Sequence, residues 1–172
     1  MSHLEQPSPT RRVGVDRRRV LALAAAGIAG IVAPAAFAQS RITPMHVYRD
    51  PYCGCCHVWA EQMSKTGLYT VIVHEEADMS AVKRRLRIPP ELGSCHTAVV
   101  DGYVIEGHVP ADAVARVLKS RPRGVFALAV PGMPAGSPGM ERPDGAREAF
   151  DVIALSTDGS RTLFARYPAV AP

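Results

Sequence analysis

Met45-His46-Val47-Tyr48-Arg49-Asp50-Pro51-Tyr52-Cys53-Gly54-Cys55-Cys56 carries an extended apolar segment through a short loop into three thiols within four residues. Met45–Tyr48 has the pattern of a strand and Arg49–Tyr52 that of a loop. The cysteines open a helix whose apolar side is Val58, Trp59 and Met63, and Gly67 lies just past its end, where a left-handed residue is needed. Strand, loop and cysteine-bearing helix N-terminus set the frame for everything downstream.

Tyr69–His74 is β-branched and alternates weakly, which predicts a second strand. Met79, Val82 and Leu86 form the stripe of an amphipathic helix that Pro89-Pro90 ends. Thr97–Val100 and Tyr103–Glu106 read as strands joined by Asp101-Gly102, a strong short hairpin signal. Pro110 starts a third helix with Val114, Val117 and Leu118 on one face, ending before Pro122. The expected order is β-α-β-α-β-β-α to about residue 121. That is the order of an α/β, thioredoxin-like domain, in which a C-x-x-C pair sits at the strand-to-helix junction. A ferredoxin-like sandwich has the order β-α-β-β-α-β and fits less well. The tail adds a Pro/Gly/Met loop, Pro131-Gly132-Met133-Pro134-Ala135-Gly136-Ser137-Pro138-Gly139-Met140, with little regular structure. It closes with a C-terminal β-hairpin in which Phe150–Leu155 and Thr162–Tyr167 flank Asp158-Gly159.

Upstream, Asp16-Arg17-Arg18-Arg19 runs into an apolar stretch from Val20 to Val32, and Ala36-Phe37-Ala38 is a small-x-small cleavage site. Residues 1–38 are therefore expected to be a signal peptide, and residues 39–172 the mature domain. The Arg-Arg-x-Val-Leu pattern is twin-arginine-like, with an ordinary Sec signal as the alternative. The apolar run is short for a membrane span, so no membrane association is expected after cleavage, against the alternative of an N-terminal anchor. The net charge of +4 is concentrated in this leader, which holds 5 of the 20 basic residues and 2 of the 16 acidic ones. The remaining chain is nearly neutral, and no basic patch argues for nucleic acid. The expected location is the periplasm.

All four cysteines, Cys53, Cys55, Cys56 and Cys95, lie in the mature part. An even count in an exported protein would ordinarily mean disulfides. Cysteines this close in sequence make small, strained loops, so ligand or redox roles are expected instead. A helix N-terminus favours thiolate. Soft sulfur ligands select Cu(I), Zn(II) or iron–sulfur. Structural zinc sites typically use two spaced pairs, whereas thiolates crowded like these suit bridging in a small multinuclear Cu(I) cluster. In a thioredoxin-like fold the loop carrying Cys95 packs beside the first helix, which brings all four sulfurs together. His96 adjoins Cys95 and is a further candidate ligand. His108 is either a ligand or a backbone hydrogen-bonding group. His57 reads as a solvated helix residue, and His46 and His74 as ordinary strand residues. Met133 and Met140 offer thioethers but more often make apolar contacts.

Four motifs in order now carry a resemblance: Cys53-Gly54-Cys55-Cys56 with Trp59; Ser94-Cys95-His96-Thr97; Gly102-Tyr103-Val104-Ile105-Glu106-Gly107-His108-Val109-Pro110; and Pro131-Gly132-Met133-Pro134 through Ser137-Pro138-Gly139-Met140-Glu141. Spanning about residues 45–167, they resemble the CopG copper-resistance family of predicted metal-binding proteins. The resemblance implies a periplasmic, thioredoxin-like protein that binds several copper ions through Cys53, Cys55, Cys56 and Cys95. His96 and His108 are further ligands on that basis. It also implies a role in copper resistance, with copper redox activity and other periplasmic copper-resistance proteins as partners. Two alternatives stand beside this one. One is a thiol–disulfide oxidoreductase that attacks with Cys53 and resolves with Cys56. The other is a structural zinc domain.

Overall fold

The computed structural model describes residues 42–172, so the expected signal peptide lies outside the described residues. The first seven elements follow the expected order. They are β1 (Thr43–Arg49), α1 (Gly54–Lys65), β2 (Tyr69–Glu75), α2 (Met79–Arg85), β3 (His96–Val100), β4 (Tyr103–Glu106) and α3 (Ala111–Ser120). A single 3-10 turn, Pro90–Leu92, lies between α2 and β3. Then come β5 (Val125–Ala129), β6 (Phe150–Ser156) and β7 (Arg161–Tyr167).

Among the described residues, seven strands form one mixed sheet in the order β2-β1-β3-β4-β5-β6-β7. β1 pairs parallel with β2 and antiparallel with β3, and β4 pairs antiparallel with β3. The sequence expectation stops the domain core near residue 121. Here β5 instead joins the sheet parallel to β4, and the terminal hairpin continues from it. Val125-Phe126-Ala127-Leu128-Ala129 is a continuous apolar run, the pattern of a strand covered on both faces.

Alternation along the strands builds two cores, one on each face. Met45, Val47, Ala98, Val100 and Ile105 face Trp59 and Met63 of α1 and Val114 and Val117 of α3. Val104, Ala127, Ala129 and Leu155 face Ile88 and Leu92, which follow α2. Trp59 is fully buried, and its indole N–H donates to the Val109 carbonyl at 3.0 Å. That bond ties α1 to the loop between β4 and α3, the two segments that carry Cys55 and His108.

Candidate metal centre

Cys53 is the N-cap of α1 with extended backbone (φ −78°, ψ 96°). The loop before it is held from below by Arg49. One guanidinium nitrogen donates to the Asp50 and Pro51 carbonyls, each at 3.0 Å, and the other to Glu75 at 3.0 Å. The Asp50 carbonyl also accepts from the Cys53 N–H at 3.1 Å. The position of the first thiol therefore follows from the end of β1.

Cys53 and Cys56 are joined by a disulfide with Cα atoms 5.4 Å apart. This corrects the expectation that proximity in sequence disfavours bridging. A separation of three across the first turn of a helix lies within the usual disulfide span, whereas the tighter pairings do not form. Cys55 and Cys95 are free. Cys55 Sγ lies 3.6 Å from Cys53 Sγ and 3.9 Å from Cys95 Sγ. All four sulfurs fall within 4.8 Å of one another, so Cys95 does converge on the other three.

A second group overlaps the first at Cys95. Its sulfur is 2.9 Å from His108 Nε2 and 3.3 Å from His96 Nδ1, and ligand atoms of the three residues lie within 4.8 Å of one another. His108 Nδ1 donates to the Pro138 carbonyl at 2.7 Å. That bond fixes the proton on Nδ1 and leaves the Nε2 lone pair aimed at the cysteine, as expected of a ligand oriented from behind. His96 is fully buried beside the Trp59 ring, with centroids 4.4 Å apart, and its Nε2 has no hydrogen-bond partner. A buried ring nitrogen without a partner is costly, whereas Nδ1 is the His96 nitrogen that faces the Cys95 sulfur and would serve as a ligand there.

The electrostatics keep both imidazoles neutral. Burial pushes His96 well below the usual histidine range, and the neighbouring His108 and the Lys83 ammonium add to the effect. Burial also lowers His108, against the opposing pull of the Pro138 carbonyl. The Cys95 thiol is pushed up to about 12, first by burial and then by Cys55. Without metal, Cys95 is thus a thiol beside neutral imidazoles, and a soft cation would displace its proton.

Sequence reasoning missed three supports of this site. Glu106 is fully buried. Its Oε1 accepts from Lys83 Nζ at 2.5 Å and from the Ser94 N–H at 2.6 Å, and its Oε2 accepts from Thr97 Oγ1 at 2.6 Å. The carboxylate brackets Cys95 from both sides. Its signals were a charged residue at the end of an otherwise apolar strand and its place in the Gly102–Pro110 motif, neither of which names its partners. The Pro131–Met140 loop supplies the Pro138 carbonyl in place of a thioether. Met133 is exposed and Met140 half-buried. Glu141 anchors this loop, accepting from the Gly139 N–H at 2.9 Å and from Gln62 of α1 at 2.7 Å. His57 is exposed on α1 as expected, while His46 and His74 form a contact of their own across β1 and β2.

A family model described as a protein of unknown function, DUF411, matches residues 92–140, which carry Cys95, His96, His108 and the loop. Two solved structures are similar over most of the chain. One, titled copper resistance protein copG, Form 1, is 44% identical with a TM-score of 0.67, over 73% of this chain and 97% of that one. The other, Form 2 of the same title, is 45% identical with a TM-score of 0.66, over 74% and 99%. No curated protein matches the sequence.

Proposed function

The chain belongs to the CopG copper-resistance family, and from that premise we propose that it is an exported, periplasmic protein that captures several Cu(I) ions on Cys53, Cys55, Cys56 and Cys95, with His96 and His108 as further ligands. The domain that does this is taken as thioredoxin-like, consistent with the order and sense of its first four strands. The observation that carries the proposal is the place of Cys95. Its sulfur belongs both to the four-thiol group and to the Cys95–His96–His108 group. A thiolate in that position can bridge neighbouring ions, which a mononuclear structural site does not need.

The Cys53–Cys56 bridge sets a condition on loading. Two electrons and two protons convert it to two thiols, and Cu(I) then displaces the thiol protons. A dithiol or an equivalent two-electron reductant must supply the electrons. Copper redox cycling at the same residues is part of the proposal.

Metal analysis of the anaerobically reduced protein from copper-fed cells, with a parallel thiol count, tests it. More than one Cu(I) per chain is expected, and Cys95→Ser should lower the copper count while leaving the protein folded. One redox-silent zinc per chain would overturn it in favour of a structural site. The observed bridge favours a second reading, a thiol–disulfide oxidoreductase using Cys53 and Cys56. A reversible dithiol couple with no copper retained would establish that reading instead.

A further inference from the structure

We propose that the chain forms a two-fold homodimer in which the β2 edges of two copies pair antiparallel into one continuous sheet. β2 ends the sheet, and among the described residues no strand pairs with its outer side. The Thr43 N–H donates to the Leu68 carbonyl, and the Glu76 N–H to the Arg49 carbonyl. Leu68 and Glu76 therefore turn main-chain groups toward β1. Successive residues of a strand turn theirs to opposite sides, so Thr70, Ile72 and His74 also face β1. Tyr69, Val71, Val73 and Glu75 present their N–H and C=O groups to the outside.

Edge strands are ordinarily kept apart by charge, proline, bulges or short length. Tyr69-Thr70-Val71-Ile72-Val73-His74-Glu75 is seven residues long, contains no Lys, Arg or Pro, and runs in unbroken register with β1. The opposite edge is protected. β7 carries Arg161 and Arg166, its register against β6 shifts at Val152/Ile153, and Pro168 follows it. Nor does α1 cover β2. An open cleft of about 240 Å³ separates Val71 and Val73 from His57, Ala60, Glu61 and Ser64 of α1. Val73 is 42% exposed, and Ile72 on the other face is 39% exposed.

The strand fits a second copy of itself. Glu75 is its only carboxylate. Parallel pairing in equal register would set Glu75 against Glu75, and like charges directly opposite are destabilising. Antiparallel pairing centred on Ile72 sets Glu75 against Tyr69, Val71 against Val73 and Thr70 against His74. Every outward-facing residue of β2 then exchanges hydrogen bonds with the partner strand. Moving the centre by one residue leaves Tyr69 or Glu75 beyond the partner's end. Val71 and Val73 meet across the clefts, and Ile72 packs on its own copy at the axis. A contact of this symmetry closes at two chains. Cys53 caps the N-terminus of α1, just past the C-terminal end of β1, to which β2 is parallel. The two cysteine clusters therefore lie at opposite ends of the joined strands, and the seam covers neither.

The test is sedimentation velocity of the protein purified from cells over a dilution series, with amide hydrogen exchange at the same concentrations. The mass is expected to rise from one chain toward two. The Val71 and Val73 amides should slow about tenfold or more, while those of Thr70, Ile72 and His74, bonded to β1 in either state, change little. Ile72→Lys and Ile72→Glu should each sediment as one chain, with thermal unfolding confirming that each is folded and the copper count unchanged. An equal mixture of the two should regain the dimer, because only this register sets residue 72 against itself. A protein that stays one chain at every concentration would overturn the proposal, including one that associates only with a different protein. So would a dimer whose Val71 and Val73 amides exchange as fast as in dilute solution, or a mixture of the folded variants that does not pair.

Discussion

Glu106 shows how one side chain can govern a site it does not enter. Its carboxylate receives an ammonium, a backbone N–H and a hydroxyl from three positions around Cys95. Glu106→Gln keeps one acceptor oxygen but removes the charge opposite Lys83 and turns an amide N–H toward one of the donors. Breaking a buried charged pair costs about 3–5 kcal/mol, although Lys83 is partly exposed and can turn toward solvent. A drop in Tm is expected. A merely structural role would stop there. As a positioning residue Glu106 should also set copper affinity, and groups behind metal ligands typically contribute about 10–100-fold. Competition with a Cu(I) chelator should therefore show at least a tenfold loss in folded Glu106→Gln protein. Unchanged affinity would remove Glu106 from the site. At this scale the cysteines and His96 were legible from type and spacing. Glu106 was not, because its role depends on Lys83 and Ser94, which lie far from it in sequence.

At the scale of elements, the Pro131–Met140 loop acts as a strap across α1. A Cβ at Gly139 would come 2.8 Å from the Cys55 carbonyl oxygen and 3.0 Å from the Trp59 nitrogen, and the residue has φ +85°. Backbone lies on backbone here, and the conformation is one that L-residues adopt at a cost. Gly139→Ala is thus expected to destabilise the protein by about 1–3 kcal/mol, measured by denaturant unfolding. It should also lift Pro138 from His108. If that carbonyl sets the His108 tautomer, the variant's His108 ring ¹⁵N shifts will show a mixture of tautomers where the unaltered protein shows one. A single unchanged tautomer would show that the strap does not orient the ligand. The loop's importance was legible in its glycines and prolines, but its mode of action was not. The sequence drew attention to the methionine sulfurs, whereas the main-chain carbonyl of Pro138 does the orienting, and a carbonyl has no residue type to read. The strands and helices through α3 were legible because their apolar periodicity matches their faces. β5 escaped because a strand buried on both sides does not alternate.

For the whole molecule, the sheet unites what the sequence divided. The terminal hairpin is not an appendage, since β6 pairs with β5 and β5 with β4, the strand that carries Glu106. In the folded chain one continuous sheet from β2 to β7 therefore underlies Cys95 and the strap. This bears on export. Four cysteines entering an oxidising compartment unfolded can bridge in combinations other than the one observed, whereas a domain folded and loaded beforehand has its sulfurs already placed. We propose that the twin-arginine-like pattern at Arg17-Arg18 directs export of the folded domain, with an ordinary Sec signal as the alternative. The expected outcome is a periplasmic protein whose intact mass corresponds to residues 39–172, and retention of the uncleaved precursor in a strain lacking the twin-arginine pathway. Unchanged export in that strain would mean that the chain crosses the membrane unfolded. The sulfurs would then have to find their partners, and their copper, only after folding outside.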